Sequence, residues 1–303
     1  MSRTSADTGG ALEGRSLDTP VPGELVTVVP GVERITAPNP SLMTGPGTNT
    51  YLVGEHDLVV IDPGPQDDAH LDAVATAASS SHRRIKAVVV THHHSDHAPG
   101  ARGLAERTGA MVLGYGFEDR ERFVPDRRLT EGDVVDLGDI PVRALHTPGH
   151  ASDHLCYTVE RPMRLLFSGD HIMGGSTVVI APPDGDMAEY LASLDRLLGE
   201  QPAIGAIAPG HGPAMPDPLG VINGYREHRL AREVAVVAAL ASRRQAGIDQ
   251  IVADVYTDVP EVLHPIARYS VWAHLLKLRA EGRAASTDPD TVESEWVSLD
   301  STG

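Results

Sequence analysis

Residues 85–97 constrain this chain more than any other stretch. Residues 85–91 read Ile-Lys-Ala-Val-Val-Val-Thr, a nearly continuous β-branched run that predicts a buried strand. Directly after it come His92, His93, His94, Ser95, Asp96 and His97, and a helical pattern follows over 99–109. Alternate residues of an extended segment point the same way, so His92 and His94 can reach one ion together. Once the chain turns toward the helix, Asp96 and His97 can reach a second. Imidazole nitrogen and carboxylate oxygen suit zinc, which keeps an open position where it is catalytic. By the same alternation His93 points away and reads as structural.

Four ligands cannot close two sites, and the sequence supplies further candidates behind other strands. His150 ends the segment His146-Thr147-Pro148-Gly149-His150, Asp170 ends Phe167-Ser168-Gly169-Asp170, and His211 lies in Pro209-Gly210-His211-Gly212. Each stands beside glycine, which permits the tight turn that presents a ligand at a strand end. Taken alone, a histidine-rich hexapeptide can also be a solvated metal tract, and a single Gly-His turn reads as structural. Four clusters in order, each after an apolar strand, point to a metal centre. His146 and His171 read as structural, with His171 the reserve ligand because it follows Asp170.

The rest of the chain divides by pattern. Residues 1–24 are polar and predict no structure. Strands and turns dominate 25–222, with helices over 70–80, 99–109 and 187–198. From about 223 the pattern turns helical, over 225–246, 249–256 and 265–281, and Gly282 marks a stop. Residues 285–303 form an acidic tail, polar apart from Trp296. The expected organisation is therefore a main α/β domain over 25–222, a small helical domain over 223–284, and two unstructured ends.

Charge and cysteine usage narrow the function. The net charge is −17, yet residues 226–283 hold nine Arg/Lys against seven Asp/Glu, so the helical segment is slightly basic. An acidic body opposes tracking a phosphate backbone over the whole surface. Cys156 is the single cysteine and sits in an apolar strand pattern, which reads as core packing. No apolar run approaches a membrane span, and no apolar stretch follows Arg3 or Arg15, so a cytoplasmic protein that does not enter a membrane is expected.

The H-x-H-x-D-H segment with the later His150, Asp170 and His211 resembles the metallo-β-lactamase superfamily. The resemblance implies an αββα sandwich with the site at the end of two facing sheets. It implies that His92, His94 and His150 hold a first zinc and that Asp96, His97 and His211 hold a second. Asp170 would bridge the two, making Asp96 and Asp170 central to catalysis by a metal-bridging hydroxide. Diiron relatives carry glutamate where this chain has His94, which argues for two zinc ions and leaves iron and manganese open. For Asp62, orientation of a ligand histidine and a turn cap stand side by side. Asn49 and Thr50 read as pocket or turn residues, and His154 as a leaving-group aid or a packed ring.

Within the superfamily, residues 48–54, 168–170 and 174–178 and the helical C-terminus resemble the β-lactamase-like protein 2 group, whose C-terminal end is winged-helix-like. That resemblance implies hydrolysis of a small-molecule or acyl-thioester substrate, or endonucleolytic cleavage of single-stranded RNA. Arg268, Lys277, Arg279 and Arg283 favour RNA, while a solvated helix face explains them more simply. An aromatic content of 4% leaves few stacking platforms for bases, which favours the thioester. A metal-binding regulatory module without turnover is the reading from another class. Nothing in the residues predicts the oligomeric state.

Overall fold

The computed structural model of the chain describes residues 19–116, 123–175 and 177–299. Residues 1–18 of the unstructured start expected over 1–24, Ser176 of the 174–178 motif and the end of the tail at 300–303 lie outside the described residues. Two compact units emerge. The first comprises described residues up to 146 together with 153–175 and 200–219; the second comprises 147–152, 177–199 and 220–299.

The first unit is built on two sheets. The larger has seven strands in chain order: β1 Leu25–Val29, β2 Val32–Thr36, β3 Asn49–Val53, β4 Asp57–Ile61, β5 Arg84–Val89, β6 Met111–Gly114 and β7 Arg127–Arg128. β1 to β4 run antiparallel to one another, whereas β4 to β7 are parallel. Parallel neighbours need a crossover, and helices α1 (Asp68–Ser79) and α2 (Gly100–Thr108) provide two of them. The Asp67 side chain caps α1 by accepting the His70 amide at 3.0 Å. Leu71 and Val74 of α1 and Leu104 of α2 pack with Leu58, Val60 and Val88 on one sheet face.

The second sheet has the order β12-β11-β10-β9-β8, from β8 Val134–Val135, β9 Val142–His146, β10 Leu155–Val159, β11 Leu165–Gly169 and β12 Ala206–Pro209. Its inner face meets the other face of the large sheet in one cluster that includes Tyr51, Val59, Val89, Leu155, Tyr157 and Phe167. Tyr51 and Phe167 meet edge to face with ring centroids 5.1 Å apart. Each buried phenol finds a carbonyl, Tyr51 on Pro209 at 2.8 Å and Tyr157 on Val90 at 2.7 Å. Cys156 is fully buried in β10, as its apolar strand pattern predicts.

Strand direction positions the site. The C-terminal ends of β4 and β5 deliver Asp62 and residues 91–97, and those of β11 and β12 deliver Asp170 and His211. β3 is antiparallel to β4 with Tyr51 opposite Ile61, so Asn49, where β3 begins, lies at the same sheet end.

The second unit contains α3 (Met187–Gly199), most of α4 (Pro218–Arg243), α5 (Ile248–Val255) and α6 (His264–Ala280). It also contains a three-stranded sheet in the order β13-β15-β14, from β13 Gln245–Gly247, β14 Ala284–Ala285 and β15 Glu295–Ser298. Here the structure corrects the sequence reading, because β15 is the central strand of that sheet and comes from the expected polar tail. Its Trp296 is fully buried among Leu240, Ile251, Val271 and Leu275. Average polarity concealed one large apolar side chain whose burial is enough to hold a short strand. Segments 147–152 and 177–199 also pack with the helices, which a linear boundary at residue 222 does not capture. No described helix is long and apolar enough to cross a membrane.

Candidate metal centre

Four of the expected ligands converge within the first unit. Asp96, His97, Asp170 and His211 each offer one ligand atom, and these atoms all lie within 4.8 Å of one another. His97 Nε2 is 3.3 Å from Asp170 Oδ1 and 3.2 Å from His211 Nε2. His211 Nε2 is 3.2 Å from both Asp170 Oδ1 and Asp96 Oδ2. His97, Asp170 and His211 are buried, while the Asp96 side chain keeps 24% exposure.

The hydrogen bonds set the tautomers. His97 Nδ1 faces Asp62 Oδ2 at 2.8 Å, and His211 Nδ1 faces the Gly47 carbonyl at 3.1 Å. The carbonyl and the carboxylate oxygen accept, so each Nδ1 donates and each Nε2 is the nitrogen turned into the cluster. Two imidazole nitrogens and two carboxylate oxygens therefore point into one small volume. A divalent cation, or added protons, relieves that repulsion, and the donor set fits zinc.

The electrostatics follow from the same convergence. Burial works against ionising Asp170, but His211 and His97 hold its carboxyl well below the usual range. Burial likewise opposes charge on Asp96, yet His97 and a hydrogen bond from His211 lower it to about 2. Burial disfavours the His97 cation, but Asp170, Asp96 and Asp62 together push its pKa well above the ordinary value. His211 rises to about 9, the pull of Asp170 and Asp96 outweighing burial.

His92 and His94 adjoin this quartet. His92 Nε2 is 2.9 Å from His94 Nδ1, and the His92 and His97 rings have centroids 4.3 Å apart. Thr91, which sequence reading passed over, ties the ligands together. Its amide donates to Asp62 Oδ1 at 2.7 Å and its hydroxyl to Asp62 Oδ2 at 2.8 Å. With its proton committed there, Thr91 Oγ1 accepts from His92 Nδ1 at 3.0 Å, so Nε2 is the ring nitrogen turned toward His94. One carboxylate thus orients His97 directly and His92 through a hydroxyl. Asp62 has φ +50, a strained conformation for a non-glycine residue at a strand end.

His150 belongs to the second unit, where its Nδ1 donates to the Val179 carbonyl at 2.8 Å, so Nε2 is the nitrogen it could offer to a metal. Of the two readings of His154, leaving-group aid and packed ring, its burial fits the packed ring. Its ring is fully buried, and Nε2 accepts the Asp170 amide at 3.2 Å, so it supports the backbone of a ligand. Among the described residues neither His154 nor His171 joins a ligand group. His93 pairs with Asp153 at 3.0 Å, and His146 stacks on Tyr115 with centroids 4.7 Å apart.

Asn49 shapes the His211 turn. Its amide donates to Gly210 O at 2.8 Å, and its Nδ2 donates to Pro209 O at 3.0 Å and Gly212 O at 2.9 Å. Thr50 bonds His70 Nε2 at 2.9 Å and lies on the wall between sheet and helix. Gly210 is required by space: a Cβ there would stand 2.8 Å from His97 Cε1 and 2.9 Å from Asp170 Oδ1.

The family described as the metallo-beta-lactamase superfamily matches residues 43–211, and the beta-lactamase associated winged helix domain matches residues 248–296. The chain belongs to the metallo-beta-lactamase superfamily, whose members are generally hydrolases. It is 34% identical over 284 residues to the beta-lactamase-like protein 2 homolog of Drosophila melanogaster, covering 85% of this chain and 93% of that one. It is 32% identical over 275 residues to the atrochrysone carboxyl ACP thioesterase of Aspergillus chevalieri, covering 86% of each. A beta-lactamase domain protein from Burkholderia ambifaria shares the fold with a TM-score of 0.76 at 21% identity, over 92% of this chain and 95% of that chain.

Proposed function

We propose that this chain is a dinuclear zinc hydrolase that cleaves acyl thioesters. The observation that carries the hydrolase reading is the convergence of Asp96, His97, Asp170 and His211, with His92 beside them. His92, His94 and His150 would hold one ion, Asp96, His97 and His211 the other, and Asp170 would serve both. Two such ions supply Lewis acidity and a water acidified to about neutral pH.

The chain's own groups do the rest. Asp62 and Thr91 fix the His92 and His97 rings before substrate arrives, so little reorganisation is needed during reaction. His154 and the Asn49 turn hold the backbone of Asp170 and the turn of His211. Asp96 is the most exposed of the four converging ligands, and its carboxylate can accept a proton from the attacking water and return it to the departing thiolate. The scissile C–S bond breaks, the acyl carbon gains the water oxygen, and the products are a carboxylic acid and a thiol.

Two observations favour a thioester over RNA. A relative of nearly equal length bears a thioesterase name. Two of the four cations that favour RNA are held by neighbouring acids: Arg268 by Asp249 and Glu293 at 2.7 Å, and Lys277 by Glu233 at 2.9 Å and Glu281 at 2.6 Å. Arg283 stands 3.5 Å from Glu281. Such pairing leaves less free charge for phosphates.

The test is turnover of a panel of acyl thioesters and of a labelled single-stranded RNA by zinc-loaded protein, with Asp170→Ala as control. Thioester hydrolysis by wild type alone supports the proposal. RNA cleavage without thioester turnover replaces it with the endonuclease reading. Retained zinc with no turnover of any substrate leaves the regulatory module.

A further inference from the structure

The turn carrying His150 has its own scaffold within the second unit. Gly149 has φ +134 and lies so close to α3 that a Cβ would stand 2.3 Å from Tyr190 Cα. The Asp186 amide donates to Gly149 O at 2.8 Å, and Ser193 Oγ donates to Pro148 O at 2.8 Å. On the ring of His150, Nδ1 donates to the carbonyl of Val179 at 2.8 Å. Residues 177–181 form neither helix nor strand, so no sheet pairing sets where that carbonyl sits.

Arg229 on α4 is the side chain that reaches both walls of this turn. It is 2% exposed. Its Nη2 donates to the Val178 carbonyl, one residue before the acceptor of His150. Its guanidinium lies over the Tyr190 ring, with Cζ 5.4 Å from the centroid. Its Nε is buried with no hydrogen-bond partner. A guanidinium taken out of water is costly unless its contacts are well made, so one retained here points to a task beyond filling space.

We propose that Arg229 is a positioning residue for the metal ligand His150: it pins residues 178–179 and thereby sets the direction of His150 Nε2. The proposal rests on the reading of His150 as a ligand. A ligand ring that is free to swing binds its metal more weakly, and partners that orient such rings typically contribute about 10–100-fold in metal affinity.

The full chain would be compared as wild type, Arg229→Met, Arg229→Lys and His150→Ala. The readouts are zinc stoichiometry, stepwise affinity by competition with a chromophoric chelator, and thermal unfolding of the metal-free proteins. Arg229→Met is expected to weaken one binding step by about 10–100-fold. That step should be the one His150→Ala removes, with the other unchanged and with Arg229→Lys recovering part of the loss. Wild-type affinity at both steps in Arg229→Met would overturn the proposal. So would equal weakening of both steps with a lowered unfolding temperature of the metal-free protein, because that describes a merely structural arginine. Two unaltered steps in His150→Ala would instead remove the ligand reading, and the proposal with it.

Discussion

The Nε2 atoms of His97 and His211 stand 3.2 Å apart, each ring locked by an acceptor on its Nδ1. Neither nitrogen can turn away, so the pair must share a proton load or a metal. Zinc takes only the deprotonated nitrogens, and its binding therefore releases protons. At pH 7 zinc uptake by protein stripped with a chelator should release at least about one proton, because His211 is raised to about 9 and His97 lies well above its ordinary value. Calorimetry in buffers of different ionisation enthalpy reads this directly; heats independent of the buffer would contradict it.

The same groups set the pH stability of the stripped protein. Asp96, lowered from 3.8 to about 2, contributes stability above pH 3.8 that disappears as pH falls through 2. His211, raised from 6.5 to about 9, contributes stability below pH 6.5 that disappears as pH rises through 9. Asp170 and His97 shift in the same respective directions. Unfolding temperatures of stripped protein should therefore peak between pH 3.8 and 6.5 and decline toward pH 9. Zinc-loaded protein should keep its stability to higher pH, since proton and metal compete for the same nitrogens.

Asp62 accepts three hydrogen bonds, from the Thr91 amide, the Thr91 hydroxyl and His97 Nδ1. Asp62→Ala leaves the Thr91 amide and His97 Nδ1–H buried without their acceptor, a loss of about 1–3 kcal/mol for each such donor. Metal affinity should also fall about 10–100-fold. Asp62→Asn should lie between, because its carbonyl can still take one of these donors. Zinc titration alongside urea unfolding separates the two effects, and unchanged zinc affinity in the alanine variant would show that Asp62 only caps its turn.

Gly210→Ala should damage the site more than the fold. The added methyl must displace the His97 ring or the Asp170 carboxylate, which it would approach to 2.8 and 2.9 Å. Turnover should drop at least about tenfold, as expected when ligands are displaced by a fraction of an ångström. Circular dichroism should show the wild-type fold, and wild-type turnover would mean that the site yields without loss.

Trp296→Ala should destabilise the second unit by about 3–5 kcal/mol, the cost of emptying a large buried site. Its ring is fully buried, and its strand pairs with both β13 and β14. Hydrogen exchange should show residues 245–247 and 284–285 losing protection first. A loss below about 1 kcal/mol, the scale of surface substitutions, would return 285–299 to the status of a tail.

Much of the centre was legible from residue order alone. The His92–His97 spacing, and glycine beside His150, Asp170 and His211, are local signals of strand ends that present ligands, and local backbone geometry dictates them. The same is true of the buried strand before His92 and of the helices in the C-terminal third. Other features depend on residues distant in sequence. That Asp62 holds His97 directly and His92 through Thr91, that Asn49 secures a turn some 160 residues away, and that Gly210 must lack a side chain all arise because β3 starts where β4, β5 and β12 end.

His154 and Trp296 mark the boundary of what sequence can say. A histidine near a metal motif has the same local signature whether it touches substrate or supports a backbone amide, and only burial beside Asp170 distinguished them. A tryptophan in an acidic tail has no partner within its own segment, and its partners on α4, α5 and α6 exist only once those helices have packed. Chemistry that depends on residue type and short spacing was therefore determined by the sequence itself. Which side chain orients, supports or seals was decided by tertiary structure, because hydrogen bonds and excluded volume act across space and not along the chain.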